Sequence, residues 1–254
     1  MTSAYYRCPK CGYKPAQAMP ADGQCPVCEV YFHKWEASQA DPEPGEVAAQ
    51  RSPNAGTASI LLAALLTPQA RMATAVFYSR CAALVFIAIW GWRLIAMDYR
   101  DGEIGRSFMH NILLPIHEAG HVLFLPFGEF LTILGGSFFQ IALPLGIAIA
   151  FVLRNRDNFA AAVCLCWVGA SFLDLAPYVY DALDPQLILL GGHTGEDGPH
   201  DWIYLLECFG QLQHAPAWGF VVHKLGALMV FAGVAWAAVL LWRQREMLGA
   251  ETVL

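Results

Sequence analysis

A five-residue motif, His117-Glu118-Ala119-Gly120-His121, carries the clearest chemistry in the sequence. Residues four apart lie on one face of a helix, so His117 and His121 would point the same way. Two imidazoles in this arrangement can hold one Zn²⁺, with Glu118 beside them as a general base. The surrounding stretch, ILLPIHEAGHVLFLPF (112–127), is apolar, and ionisable groups in such a setting are costly unless they have a role. Buried histidines are often plain core residues, but the accompanying Glu118 favours a metal site.

A catalytic zinc needs a third protein ligand and one open position. Asp174 lies in the apolar stretch WVGASFLDLAPYVYDA (167–182) with no Lys or Arg within one turn. Coordination to a cation would remove the cost of burying this carboxylate, so Asp174 is the predicted third ligand. A hydrogen bond to Ser171 or to a neighbouring helix is the alternative. The glycine-rich loop 191–201 (GGHTGEDGPHD) supplies further candidates that could cap the site, bind a second metal or be solvated: His193, His200 and Asp201.

A second cluster consists of four cysteines near the N-terminus with the spacing C-x2-C-x13-C-x2-C, namely Cys8, Cys11, Cys25 and Cys28. Two such knuckles supply four thiolates to one tetrahedral Zn²⁺ and leave no position for a reacting water, which predicts a structural site. Iron is the alternative metal. This stretch resembles the zinc-ribbon and rubredoxin-like family. So small a domain cannot build a sufficient core, and metal binding would supply its folding energy.

The composition is that of a membrane protein, with 57% hydrophobic residues, 14% charged residues and a mean hydropathy of +0.43. A bilayer about 30 Å thick needs ~20 helical residues to cross it. Five apolar segments meet this length: 79–98, 108–127, 130–153, 158–180 and 217–242. The predicted fold is therefore an all-α polytopic membrane protein with about five transmembrane helices and a small N-terminal zinc ribbon.

The sequence divides into three predicted regions: the ribbon (1–36), a linker with a short interfacial helix (37–78) and the membrane domain (79–254). A net charge of −6 without a basic stripe argues against a nucleic-acid partner. Free thiolates favour a reducing compartment, which predicts a cytoplasmic ribbon. Five spans would then place four arginines outside, against the usual bias: Arg154, Arg156, Arg243 and Arg245.

Residues 108 to about 180 resemble the three-helix core of the site-2 proteases, the intramembrane zinc metalloproteases. His117, Glu118 and His121 match that family's HExxH motif in full. Leu173-Asp174 matches the start of its LDG motif, with Leu175 in place of the glycine. Gly135-Gly136-Ser137 and Gln140 stand where the family has a glycine-rich segment with a polar side chain. The stretches LPFGEFLTILGGSFFQ and HDWIYLL resemble a bacterial branch of site-2-protease-like proteins, which implies the bacterial inner membrane.

The resemblance implies an intramembrane zinc metalloprotease whose zinc is held by His117, His121 and Asp174. A zinc-bound water would attack the peptide bond, with Glu118 as general base. The substrate would be a membrane protein or peptide in the lipid bilayer, and the ribbon would offer a surface to a protein partner. Gly135 and Gly136 could admit an extended substrate or simply pack helices. Two alternatives stay open at this stage: an inactive membrane adaptor that uses the ribbon, and a metal transporter or sensor.

Overall fold

The computed structural model describes residues 4–20, 22–32, 35, 57–69 and 72–251, most of them helical. The predicted linker stretch 37–56 lies outside the described residues. The chain divides into two compact units, residues 1–60 and 61–254.

The N-terminal unit pairs two short antiparallel strands, β1 (Ala4–Tyr5) and β2 (Met19–Pro20). Its two cysteine knuckles repeat one backbone pattern. The N–H of Cys8 donates to the carbonyl of Tyr13 (2.8 Å), and the N–H of Cys25 donates to the carbonyl of Val30 (3.0 Å). The four cysteines therefore lie on two equivalent turns, which is the framework that a shared metal requires.

One of these equivalent turns contains a strained residue. Gly12 and Glu29 both follow the first cysteine of their knuckle by four residues, and both have positive φ, +77° and +55°. A side chain in this left-handed region costs roughly 1–2 kcal/mol, whereas glycine adopts it freely.

We expect Glu29→Gly to stabilise the folded knuckle by about 0.5–1 kcal/mol. Amide hydrogen exchange at Cys25 in the full-length protein should therefore become slower. Glu29→Ala is the control, because it removes the same charge but keeps the strained backbone. Equal exchange in the two variants would contradict this explanation.

Seven helices follow in the described part of the chain: α1 (Thr57–Leu65), α2 (Thr74–Ala96), α3 (Phe108–Phe124), α4 (Glu129–Ala150), α5 (Asn158–Asp181), α6 (Asp201–Cys208) and α7 (Ala215–Glu251). A π-helical turn, Phe151–Asn155, extends α4. Short 3₁₀ turns precede α3, follow it and precede α7.

Four helical segments of the described chain are long and apolar enough to cross a membrane, as in an integral membrane protein: Thr74–Ala96, Glu129–Asn155, Asn158–Asp181 and Leu212–Met247. The expected number of about five spans is not confirmed. The predicted span 108–127 corresponds to α3, which ends at Phe124 after 17 residues and continues only as the 3₁₀ turn Leu125–Phe127. That length is at the lower limit of the ~17–25 residues with which helices cross a membrane.

Three glycines of α7, spaced seven residues apart, bring α7 close against α5. A Cβ added at any of them would lie 2.5–2.8 Å from atoms of α5, so only glycine permits this approach. The pairs are Gly219 with Tyr180, Gly226 with Gly169 and Gly233 with Cys166. Because the residue numbers rise on α7 as they fall on α5, the two helices are antiparallel.

Helix α2 runs in the same direction as α5. At its start Arg80 forms an ion pair with Asp157, 2.7 Å, just before α5 begins. Near its end Leu94 packs with Ala170 and Leu173, further along α5. The start of α2, the α4–α5 connection and the last turns of α7 therefore lie at one end of the bundle. We call this the arginine end, after Arg80, Arg154, Arg156, Arg243 and Arg245.

Side chains at the arginine end hold the last turn of α1. Asn158 donates its amide to the carbonyls of Ala64 (2.8 Å) and Thr67 (2.9 Å). Trp236 Nε1 donates to the carbonyl of Leu65 at 2.8 Å, and Arg243 donates to that of Leu66 at 2.9 Å. The last carbonyls of a helix have no partner within it, so these side chains satisfy groups that would otherwise need water.

Candidate metal centre

Helix α3 presents His117 and His121 on one face, as their spacing predicts. The two ring centroids are 4.8 Å apart. Ser107, just before the helix, caps it: its hydroxyl accepts from the backbone N–H of His110 at 3.1 Å. Gly120, between the histidines, packs directly against the backbone of Gly135 on α4. This close approach places both imidazoles against α4.

A carboxylate from a distant part of the chain meets both histidines. Asp201 Oδ2 lies 3.0 Å from His117 Nε2 and 3.2 Å from His121 Nε2. Asp201 is the first residue of α6, which follows the loop after α5. Its position is fixed by Tyr178 on α5, whose hydroxyl accepts from the Asp201 backbone N–H at 2.9 Å.

The other ring nitrogen of each histidine donates to an oxygen. His117 Nδ1 lies 2.9 Å from Gln140 Oε1, and His121 Nδ1 lies 2.8 Å from the carbonyl of Thr132. Amide and carbonyl oxygens only accept, so each Nδ1 carries a proton. In the neutral rings both Nε2 atoms then present lone pairs, and both face the Asp201 carboxylate. Three electron-rich atoms at this separation repel one another, so either a metal ion or protons on the rings must lie between them.

A metal ion fits this donor set. Ligand arms of about 2.0–2.1 Å around tetrahedral zinc place neighbouring donors roughly 3.3 Å apart, close to the observed 3.0 and 3.2 Å. Gly136 keeps the space beside the donors open. A Cβ at this position would lie 2.5 Å from His121 Nε2 and 2.6 Å from His117 Nε2. A metal-ligating histidine also characteristically uses its second nitrogen as a donor to an oxygen, as both do here.

Glu118 lies beside the donors. One of its carboxylate oxygens and one nitrogen of each of His117 and His121 all lie within 4.8 Å of one another. Its side chain is partly exposed. This separation is suited to a carboxylate that contacts water held between it and the metal ligands.

Asp174 has other partners in this structure. Its Oδ1 accepts from His110 Nδ1 at 2.9 Å, and its Oδ2 accepts from Gln140 Nε2 at 3.0 Å. Asp174 is therefore linked to His117 only indirectly: it accepts from Gln140, and Gln140 in turn accepts from Nδ1 of His117. The assignment of Asp174 as the third ligand stays a prediction, and the carboxylate that contacts both Nε2 atoms is that of Asp201.

The remaining candidates have distinct places. His200 caps α6, with its Nδ1 accepting from the N–H of Ile203 (3.3 Å), and its ring lies 4.3 Å from that of Tyr178. His193 donates its Nδ1–H to the carbonyl of the adjacent Thr194, 3.0 Å away. Gly135 packs helix against helix, whereas Gly136 borders the donors. Admission of an extended substrate by either glycine stays a prediction.

Sequence reasoning gave little weight to Asp201 and named Gln140 only through the family resemblance. It missed His110, Thr132 and Tyr178 as parts of the site. His110 had a usable signal, because it precedes His117 by seven residues and so lies on the same helix face. Asp201 had none, since 80 residues separate it from His121 and only the folded chain brings them together.

The four cysteines of the N-terminal unit also converge, and their sulfur atoms lie within 4.8 Å of one another. Cys8 Sγ is 3.7 Å from Cys28 Sγ, and Cys11 Sγ is 3.7 Å from Cys25 Sγ. Tetrahedral zinc with arms of about 2.3 Å places sulfurs roughly 3.8 Å apart. Burial opposes ionisation of Cys8, but backbone N–H groups of Cys11 and Lys10 lower the pKa of its thiol to about 6. This four-cysteine cluster can therefore bind a metal ion.

The chain matches no protein-family model, no curated protein and no solved structure. The relationship to the site-2 proteases stays a prediction from the motif residues. The function is accordingly argued from the geometry of the site.

Proposed function

We propose that this protein is an integral membrane zinc metallopeptidase of the site-2 protease type. It hydrolyses peptide bonds of membrane-associated polypeptides. The observation that carries the proposal is the convergence of two histidine Nε2 atoms and a carboxylate beside Glu118, within a bundle of membrane-length helices.

The residues of the site have separate roles in the proposed reaction. His117, His121 and Asp201 would hold the zinc. When bound, zinc polarises the scissile carbonyl and makes water more acidic. Glu118 accepts the proton of the attacking water and delivers it to the leaving amide nitrogen. Glu118 and His121 are partly exposed, so water can reach the site, which hydrolysis beside apolar helices needs.

The presence of Glu118 favours a peptidase over the other two readings. Metal binding by an adaptor requires only the ligands, and a carboxylate held beside them without a partner cation would be a cost. A transporter needs successive polar sites along its helices. The described membrane unit instead concentrates its candidate ligands in one region, around α3 and the start of α6.

We propose that the four-cysteine cluster holds a second, structural zinc. Its four thiolates leave no open position, so it stabilises the N-terminal unit without taking part in hydrolysis. This unit would offer a surface to a protein partner.

Cleavage of a peptide library tests the proposed activity. The purified protein in detergent micelles is incubated with fluorescence-quenched apolar peptides of mixed sequence. We expect cleavage that stops with a zinc chelator and returns when zinc is restored. Cleavage that persists in a chelator-treated sample with no measurable zinc would contradict the proposal.

We further propose that the arginine end faces the cytoplasm. Five arginines gather there. The other end carries two, Arg100 and Arg106, in the connection 97–107, and no Lys or Arg in the connection 182–214. Cytoplasmic loops carry an excess of basic residues. With five spans, a cytoplasmic ribbon would place Arg154, Arg156, Arg243 and Arg245 outside the cell. With four spans all of these arginines are inside, in agreement with the usual charge bias. In the same arrangement the ribbon, which precedes α2 in the chain, is on the cytoplasmic side. The membrane that the helices cross is the bacterial inner membrane.

Thiol labelling of intact cells tests this orientation. Cys208 at the end of α6 is exposed. We expect a membrane-impermeant maleimide to label it in intact bacterial cells whose outer membrane has been permeabilised. A cysteine introduced by Arg154→Cys, at an exposed position of the arginine end, should react only after the inner membrane is opened. Cys208→Ser identifies the labelled site, and the reverse labelling pattern would refute the orientation.

A further inference from the structure

A chain of hydrogen bonds leads away from the metal centre on the side opposite Asp201. His110 Nδ1 donates to Asp174 Oδ1 at 2.9 Å, Gln140 Nε2 donates to Asp174 Oδ2 at 3.0 Å, and His117 Nδ1 donates to Gln140 Oε1 at 2.9 Å. It joins three helices, with α3 at both ends, α5 at Asp174 and α4 at Gln140. Gln140 is 1% exposed and Asp174 is 8% exposed, so water does not compete for the bond between them.

The direction of the chain is set by Asp174. An ionised carboxylate only accepts hydrogen bonds, so the NH₂ group of Gln140 must face it. The carbonyl of Ser171 lies 3.5 Å from the same nitrogen and favours the same orientation. The amide oxygen of Gln140 is thereby turned toward His117. Because this oxygen can only accept a hydrogen bond, His117 must carry its proton on Nδ1. The neutral ring then has its lone pair on Nε2.

We propose that Asp174 and Gln140 are positioning residues that select the metal-binding tautomer of His117. Without the carboxylate, the amide of Gln140 is free to rotate by 180° and present its NH₂ group to Nδ1. His117 would then accept at Nδ1 and carry its proton on Nε2, where it blocks the metal. The buried acid thus acts on the metal centre through Gln140 rather than by ligation. This inference rests on the proposed metal site.

The first test measures the tautomer directly in zinc-free, full-length protein labelled with ¹⁵N-histidine. The ring nitrogen shifts of His117, identified by their absence in His117→Gln, report which nitrogen carries the proton. At a pH where the ring is neutral, we expect the Nδ1–H form in the parent and in Asp174→Asn, whose amide oxygen can still accept from Gln140. A substantial Nε2–H population is expected in Asp174→Leu and in Gln140→Leu. Unchanged shifts in both leucine variants would overturn the proposal.

The second test measures zinc affinity by chelator competition in the same variants, with the four-cysteine site as an internal reference. We expect Asp174→Leu and Gln140→Leu to weaken zinc binding at the histidine site by 10- to 100-fold, the usual effect of removing such a supporting group. Asp174→Asn should restore most of the affinity, a rescue that loss of packing alone would not give.

The outcomes separate this inference from the proposed function. If Asp174→Asn and Asp201→Asn both lose the membrane-site zinc completely, Asp174 is a ligand and the positioning role is refuted, while a zinc site remains. If the parent protein binds no zinc at that site, the proposed function fails. The tautomer measurement then still decides whether Asp174 and Gln140 orient His117.

Discussion

Gly136→Ala is expected to remove the zinc of the histidine site while leaving the zinc of the four-cysteine site in place. The new methyl group would lie 2.5 and 2.6 Å from the two Nε2 atoms, within the space where they converge with Asp201. Neither ring can retreat easily, because each Nδ1 is held by its own acceptor at 2.8–2.9 Å. Zinc per chain, measured by elemental analysis, should therefore fall from two to one.

Gly146→Ala is the matched control for this prediction. Gly146 lies on the same helix, and a Cβ there would meet no atom within 4 Å. Since alanine has the higher helix propensity, the control should fold at least as well as the parent and retain both metals. Retention of two zinc ions by Gly136→Ala would show that the metal is bound elsewhere.

Glu118→Gln is expected to lower the rate of peptide hydrolysis by about 10²–10⁴-fold, the contribution typical of a general base. The amide is almost the same size as the carboxylate but cannot accept a proton from water at neutral pH. Both zinc ions should remain, because Glu118 is adjacent to the ligands without being one of them. The measurement is the initial rate of peptide cleavage, normalised to zinc content.

Glu129→Gln is the control for the loss of charge. Glu129 is an exposed glutamate at the start of α4, outside the set of groups that contact the metal-binding histidines. Its replacement should leave the rate unchanged. A Glu118→Gln enzyme with the parent's rate would remove Glu118 from the mechanism.

The sequence predicts the parts of this protein that depend on short spacings. The C-x2-C pairs predict a convergent cluster of four cysteines, and the motif at His117 and His121 predicts two imidazoles on one helix face. Each cysteine pair and the histidine pair are local, because a knuckle or a helical turn fixes the relative positions of residues four or fewer apart. The meeting of the two cysteine pairs follows from the shared metal that their repeated spacing predicts. The membrane class follows as directly from composition.

The contacts made by Asp201 and Asp174 could not be predicted in this way. Burial in an apolar helix correctly marks Asp174 as a residue that needs a partner, but it does not say which partner. Gln140 and His110 each donate a hydrogen bond to the Asp174 carboxylate. These two bonds offset the cost of burying it, which a metal ion would otherwise have to do. Asp201 lies in a loop sequence that looks solvated, and only the return of α6 to α3 brings it to the site.

The span count shows a similar limit. Hydropathy treats 108–127 as one uninterrupted segment, yet the helix ends at Phe124 and the chain turns at Leu125–Phe127. Pro126 and Gly128 mark this end in the sequence, the proline within the turn and the glycine with φ of +93°. An average hydropathy over the segment does not register single residues that end a helix.

The most direct test of the central claim is zinc per chain in the purified protein, compared across the parent, His117→Ala, Asp201→Ala and Cys25→Ala. We predict two zinc ions in the parent and one in each variant. The zinc that remains in Cys25→Ala should support peptide cleavage, and the zinc that remains in the other two should not. A parent with a single zinc ion, lost in Cys25→Ala and kept in Asp201→Ala, would contradict the metal centre and the activity built on it.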